Sequence, residues 1–124
     1  MNVYKPGQIN IGEKGLEKHR DMAIGAGMIT MGWTFLSYVW VFSTVLQLFV
    51  FIPALFCILG IIQYRNKFNI IFGLTQKYNV DDSPEPHNVL DSVSIDKDRE
   101  RAVFLLLLSI FLALLYSVII ILIF

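Results

Sequence analysis

The run from Met22 to Tyr64 contains no Asp, Glu, Lys, Arg or His. A single helix over that run would be roughly 65 Å long, about twice the thickness of a bilayer's hydrocarbon core. One crossing is therefore excluded, and two crossings of about 20 residues each, joined by a tight turn, use the run almost completely. The polar cluster Ser43, Thr44 and Gln47 marks the turn. The run shows neither a polar stripe at helical spacing nor strand-like alternation, so each helix is apolar all round, the pattern of burial in lipid or among other helices.

A second apolar block, Ala102 to Phe124, is interrupted only by Ser109, Tyr116 and Ser117 and reads as a third spanning helix. The chain is 56 % hydrophobic with zero formal net charge, in keeping with an all-α membrane protein of three transmembrane helices, a tight hairpin plus a C-terminal span. A cleaved signal peptide is not expected, because the first apolar block follows a charged segment and is too long. The single cysteine, Cys57, falls within the second span and reads as an apolar packing residue. This divides the chain into an N-terminal segment 1–21, the hairpin 22–64, a loop 65–101 and the last span 102–124.

A hairpin returns the chain to its starting side, so all 10 Lys and Arg residues fall on one face of the membrane. The positive-inside bias makes that face cytoplasmic, with the N-terminus inside, Phe124 outside and a minimal outer loop. A bacterial inner membrane is the expected location. In segment 1–21, Pro6, Gly7, Gly12 and Gly15 predict an extended start, with Gly15 to Asp21 beginning a helix that leads into the first span. In the loop, Phe68, Ile71, Phe72 and Tyr78 share one helical face, which predicts a helix lying in the interface plane. Residues 81–87, DDSPEPH, end it, and Ser94 or Asp96 is the expected N-cap of the last helix.

No enzyme emerges from these residues. His19 and His87 lack Cys or carboxylate partners at metal-ligand spacing, no Gly-rich phosphate loop is present, and no nucleophile stands beside a base. The charged run DKDRER, residues 96–101, reads as a solvated helix start. The spans carry no ionisable Asp, Glu, Lys, Arg or His, which argues against an ion or proton pathway.

What the spans do carry is packing residues. Gly25, Gly27 and Gly32, with Ala23 and Ala26, give the first span a small-residue surface that another helix can approach. Trp33, Tyr38 and Trp40 follow; Trp40 and Tyr38 suit the outer interface, and the Trp33 indole N–H, deeper in the span, needs a partner. These faces are more than three helices need for one another. The expected partners are the bilayer and a larger integral membrane protein, with no nucleic acid.

The stretch GWTFLSYVWVF, residues 32–42, and the aromatic and basic exit QYRNKF, residues 63–68, resemble the PgaD-like family over about residues 9–73. Those proteins are small accessory subunits of the membrane glycosyltransferase that makes and exports poly-β-1,6-N-acetylglucosamine, a biofilm exopolysaccharide. This chain has a shorter loop between its first two spans than the family and adds a third span. The resemblance implies a non-catalytic partner of a family-2 glycosyltransferase, with cyclic di-GMP at the cytoplasmic junction of the subunits and Arg20 and Arg65 as its phosphate ligands. The residues alone leave two other classes open: a small subunit of a respiratory or other membrane complex, and a holin-like pore-forming protein.

Overall fold

The computed structural model describes residues 3–124. Three helices are long and apolar enough to cross a membrane: α1, Glu13–Trp40; the stretch Thr44–Asn66; and the C-terminal helix Ser92–Ile123. The middle stretch is two helices, α2 (Thr44–Leu48) and α3 (Phe51–Asn66). The break follows from Pro53, which has no N–H to donate to the carbonyl of Phe49 and whose ring crowds it; Ile52 N–H bonds that carbonyl instead, at 3.2 Å. The hairpin turn is at residues 41–43, where Val41 takes a left-handed φ of 50°. The Ser43 hydroxyl then caps α2 by accepting from Leu46 N–H. The turn thus ends at Ser43, the first residue of the expected polar cluster, while Thr44 and Gln47 lie within α2.

A short helix α4 (Ile70–Thr75), an antiparallel pair β1 (Lys77–Tyr78) and β2 (His87–Asn88), and the long α5 (Ser92–Ile123) complete the chain. α3 packs against both α1 and α5. At about 1.5 Å per residue α1 and α5 are roughly 42 and 48 Å long, so each extends well beyond a 30 Å hydrocarbon core. The surplus lies at the end bearing the N-terminal arm and the 67–91 segment, and there the chain forms a folded cap.

The α1–α3 crossing is set by Gly60. A Cβ at this position would lie 2.7 Å from Ala23 N and 2.7 Å from His19 O, so only glycine lets the two backbones come this close. α5 turns a small-residue face inward: Ala102, Ser109, Ala113 and Ser117 are buried, with Leu105 and Ile120. Phe104, Leu107, Phe111 and Leu122 point outward. Hydroxyls inside the spans bond their own helix four residues back, as Thr30 to Ala26 O, Ser37 to Trp33 O, Ser109 to Leu105 O and Ser117 to Ala113 O. Each of these hydroxyls thereby has its proton satisfied without water.

The cap departs from the sequence reading in three ways. Phe68, Ile71, Phe72 and Tyr78 do not share one helical face: Phe68 precedes α4 and is fully buried with Ile70, Ala102 and Leu105, while Tyr78 lies in β1. Gly73 admits this, since its missing Cβ would sit 2.8 Å from the Phe68 ring. The N-cap of α5 is Asp91, which accepts from Ser94 N–H, so Ser94 and Asp96 are inside the helix. α1 begins at Glu13, earlier than expected, because the cap supplies its N-terminus with a partner.

Candidate functional site

The residues singled out for partner packing divide by environment. Gly25 and Gly32 are open, with nothing within 4 Å of an added Cβ, whereas Gly27 faces Cys57 Sγ at 3.3 Å within the hairpin. Trp33 finds its partner in the turn: its indole N–H donates to Leu46 O at 2.9 Å, and its ring meets Phe42 edge-on at 5.4 Å. Trp40 is exposed and tilts against Phe42, and Tyr38 packs on Phe124, joining the C-terminal end of α1 to the C-terminus of the chain. Lower in the membrane Thr34 and Tyr116 share a hydrogen bond of 2.6 Å between α1 and α5.

Arg20 and Arg65 are both exposed. Arg20 pairs with its neighbour Asp21 at 3.6 Å. The arginine that the fold organises is Arg101, which donates to Asn66 Oδ1 at 2.7 Å and stands over the Phe104 ring.

The cap is built around two fully buried polar residues that the sequence reading missed, Asn10 and Asp98. The Asn10 side chain donates to Asn69 O and accepts from Asn69 N–H, imitating a strand pair. Its backbone bonds Lys67 O and Asn79 N–H. Residue 10 is thereby threaded between the end of α3 and the 79–88 loop with its polar groups satisfied. Asp98 accepts from Tyr4 O–H at 2.6 Å and from Gly7 N–H at 2.7 Å, tying the arm to the first turns of α5. Burial and this carboxylate push the Tyr4 phenol well above its usual range.

The arm and loop enclose a cavity of about 340 Å³ at the start of α1, bordered by Lys14, Lys18, His19, Asn69, Asp82 and Ser83. Asp82 Oδ1 accepts from Lys14 N–H at 3.1 Å, so an internal carboxylate occupies the positive end of α1. Gly12 permits it: a Cβ there would lie 2.9 Å from that oxygen and 2.5 Å from Val80 O. Asn69 Nδ2 lies 3.4 Å from His19 Nε2. Burial, with the charge of Lys18, lowers the His19 pKa, so its neutral form is favoured.

On the cap surface Ser83, His87 and Asp81 come together, a serine beside a base that the sequence reading did not expect. His87 Nε2 lies 3.1 Å from Ser83 Oγ and 3.0 Å from Asp81 Oδ2. A nucleophilic relay needs the carboxylate on Nδ1 and the hydroxyl on Nε2. Here both partners share Nε2, and Ser83 donates its proton to Asp81. The cluster closes the loop, and the Ser83 hydroxyl chiefly, with His87, holds the Asp81 carboxyl down at about 2. Among the described residues no group of three His, Cys, Asp or Glu could hold a metal ion.

No family model, curated protein or solved structure matches the chain.

Proposed function

We propose that this chain is a non-catalytic accessory subunit of an integral membrane complex, docking a transmembrane helix of a larger protein on the open face of α1. The carrying observation is the bare glycine surface at Gly25 and Gly32. Gly25, Met28, Ile29 and Gly32 stand at i, i+3, i+4 and i+7, one continuous face, and Met28 and Ile29 are 69 % and 61 % exposed. Against lipid, glycine offers no side-chain contact and weakens the helix. Against another helix, it allows close backbone approach. Beside Gly25 an apolar groove of about 450 Å³ runs to Pro53 and Phe56 of α3, wide enough for a side chain of the incoming helix.

The resemblance at residues 32–42 and 63–68 makes a family-2 glycosyltransferase of exopolysaccharide synthesis and export the first partner to test, with cyclic di-GMP held between Arg20, Arg65 and that partner. Guanidinium groups suit such a ligand because they pair phosphate bidentately and stack on a purine. The orientation that fits is a cytoplasmic cap in a bacterial inner membrane with Phe124 outside, since every Lys and Arg lies at the cap end.

Purification in mild detergent of the wild type and of Gly25→Leu with Gly32→Leu tests the docking face. A stoichiometric larger membrane protein should accompany the wild type and be lost from the variant, while membrane insertion is unchanged. Equal recovery with both would mean the face meets lipid. Arg20→Lys with Arg65→Lys should leave assembly intact and weaken cyclic di-GMP binding by the complex; equal affinity by calorimetry would remove the nucleotide from the reading.

A further inference from the structure

We propose that the cavity between the first turns of α1 and the 79–86 loop binds the headgroup of a phospholipid that carries a primary ammonium, with phosphate on the lysine wall and ammonium on Asp82. Three formal charges, Lys14, Lys18 and Asp82, border this one cavity of about 340 Å³. Among the described residues none of them has an opposite charge within 4.0 Å; the ion pairs lie elsewhere, at Arg20–Asp21 and His87–Asp81. Lys14 and Lys18 are one helical turn apart, so their ammonium groups flank one point above the helix surface, the arrangement that holds a phosphate.

His19 also borders the cavity, held by Asn69. The Asn69 side-chain oxygen accepts from Phe72 N–H at 3.0 Å, which leaves its amide nitrogen to face His19 Nε2. Nε2 is thereby the acceptor and the ring proton resides on Nδ1. Opposite, Asp82 spends Oδ1 on Lys14 N–H and has no hydrogen-bond partner on Oδ2 among the described residues. Two lysines and a carboxylate oxygen bordering one cavity match a ligand with an anionic and a cationic end.

The depth of Lys18 is what points to a lipid as the source. The charge-free run begins at Met22, so at about 1.5 Å per residue Lys18 lies about 6 Å beyond the hydrocarbon edge, within the headgroup layer of about 5–8 Å, while Lys14, with Asp82 on its N–H, lies about 12 Å out, on the water side of that layer. Phe72, Pro84 and Pro86 complete the wall with apolar surface. A trimethylated ammonium has no N–H to donate to Asp82, so phosphatidylethanolamine is distinguished from phosphatidylcholine.

The full chain is reconstituted in vesicles of equal phosphatidylethanolamine and phosphatidylcholine, extracted in mild detergent, and its retained lipid quantified by mass spectrometry. The wild type should retain phosphatidylethanolamine over phosphatidylcholine by about fivefold, the effect of one partly solvated ammonium–carboxylate contact at Asp82, since both lipids offer the same phosphate to the lysines. Lys14→Gln with Lys18→Gln should retain neither above the bulk ratio; both side chains are exposed, and an unchanged thermal midpoint would confirm folding. Asp82→Asn keeps an oxygen for Lys14 N–H and should retain both lipids without preference. A bulk ratio in the wild type, or undiminished enrichment in the lysine variant, overturns the proposal. Displacement of the lipid by soluble phosphoethanolamine at equal affinity overturns its lipid source.

Discussion

A carboxylate with no solvent exposure needs donors, and Asp98 has two, the Tyr4 hydroxyl and Gly7 N–H. Hydrogen bonds to a charged group contribute about 1.5–3 kcal/mol each. Tyr4→Phe should therefore cost about 1–2 kcal/mol, and Asp98→Ala about 2–3 kcal/mol, bounded by the arm's own local stability. Limited proteolysis after Lys5 reads this directly: both variants should be cut faster than wild type, Asp98→Ala more so, and equal rates would deny the tie. His19 makes the cap acid-sensitive. Its folded pKa lies below the ordinary 6.5, so between the two values the unfolded chain binds more protons, and stability falls as pH drops through that window. His19→Gln keeps an acceptor for Asn69 and should flatten the thermal midpoint between pH 7 and pH 5, where the wild type declines. Asp81, held at about 2 from an ordinary 3.8, acts only below that range, its contribution being lost as pH falls toward 2.

Four of the glycines in the spans look alike in sequence, and only packing separates them. Gly60 meets the α1 backbone, Gly27 meets Cys57, and Gly25 and Gly32 meet nothing. Gly60→Ala should destabilise the hairpin by about 1–3 kcal/mol, because backbone atoms cannot move aside as a side chain can. Gly25→Ala and Gly32→Ala should instead raise stability by about 0.5–1 kcal/mol each through helix propensity. Thermal unfolding in detergent distinguishes the two signs. The hairpin was legible because a charge-free run twice the bilayer's thickness has one solution, and its turn because Ser43 can cap the second span's first helix. The inward face of α5 was legible too, had its small residues been traced upstream: Ser109, Leu105 and Ala102 lead at helical spacing to Asp98, inside a run read as solvated. The cap was not legible. Phe68 has the same local pattern whether it enters lipid or a core, and Asn10 is explained only by partners far along the chain, Asn69 and Asn79.

At the scale of the whole molecule the asymmetry is in where polar chemistry is permitted. One end holds all 10 Lys and Arg, the buried Asn10 and Asp98 and the charged cavity, while the other is closed by Trp33, Phe42, Trp40 and the Tyr38–Phe124 contact. The cap cannot cross a bilayer as folded, since its charges would enter hydrocarbon at several kcal/mol each. Which side it occupies is thus fixed at insertion, and the positive-inside bias predicts the cytoplasmic side. With Cys57 replaced by Ala, single cysteines at Gln8, Ser83 and Ser43 report the outcome against an impermeant thiol reagent on intact cells. All three sites lie outside the apolar spans, and Ser43 is exposed in the turn between α1 and α2. Ser43→Cys should label, and Gln8→Cys and Ser83→Cys should label only after the membrane is opened. Labelling of Gln8→Cys and Ser83→Cys from outside, with Ser43→Cys protected, would invert the orientation and place the cap and its cavity on the outer leaflet. Labelling of only one of those two cap positions would break the hairpin itself, because Asn10 binds the arm to the loop that carries Ser83.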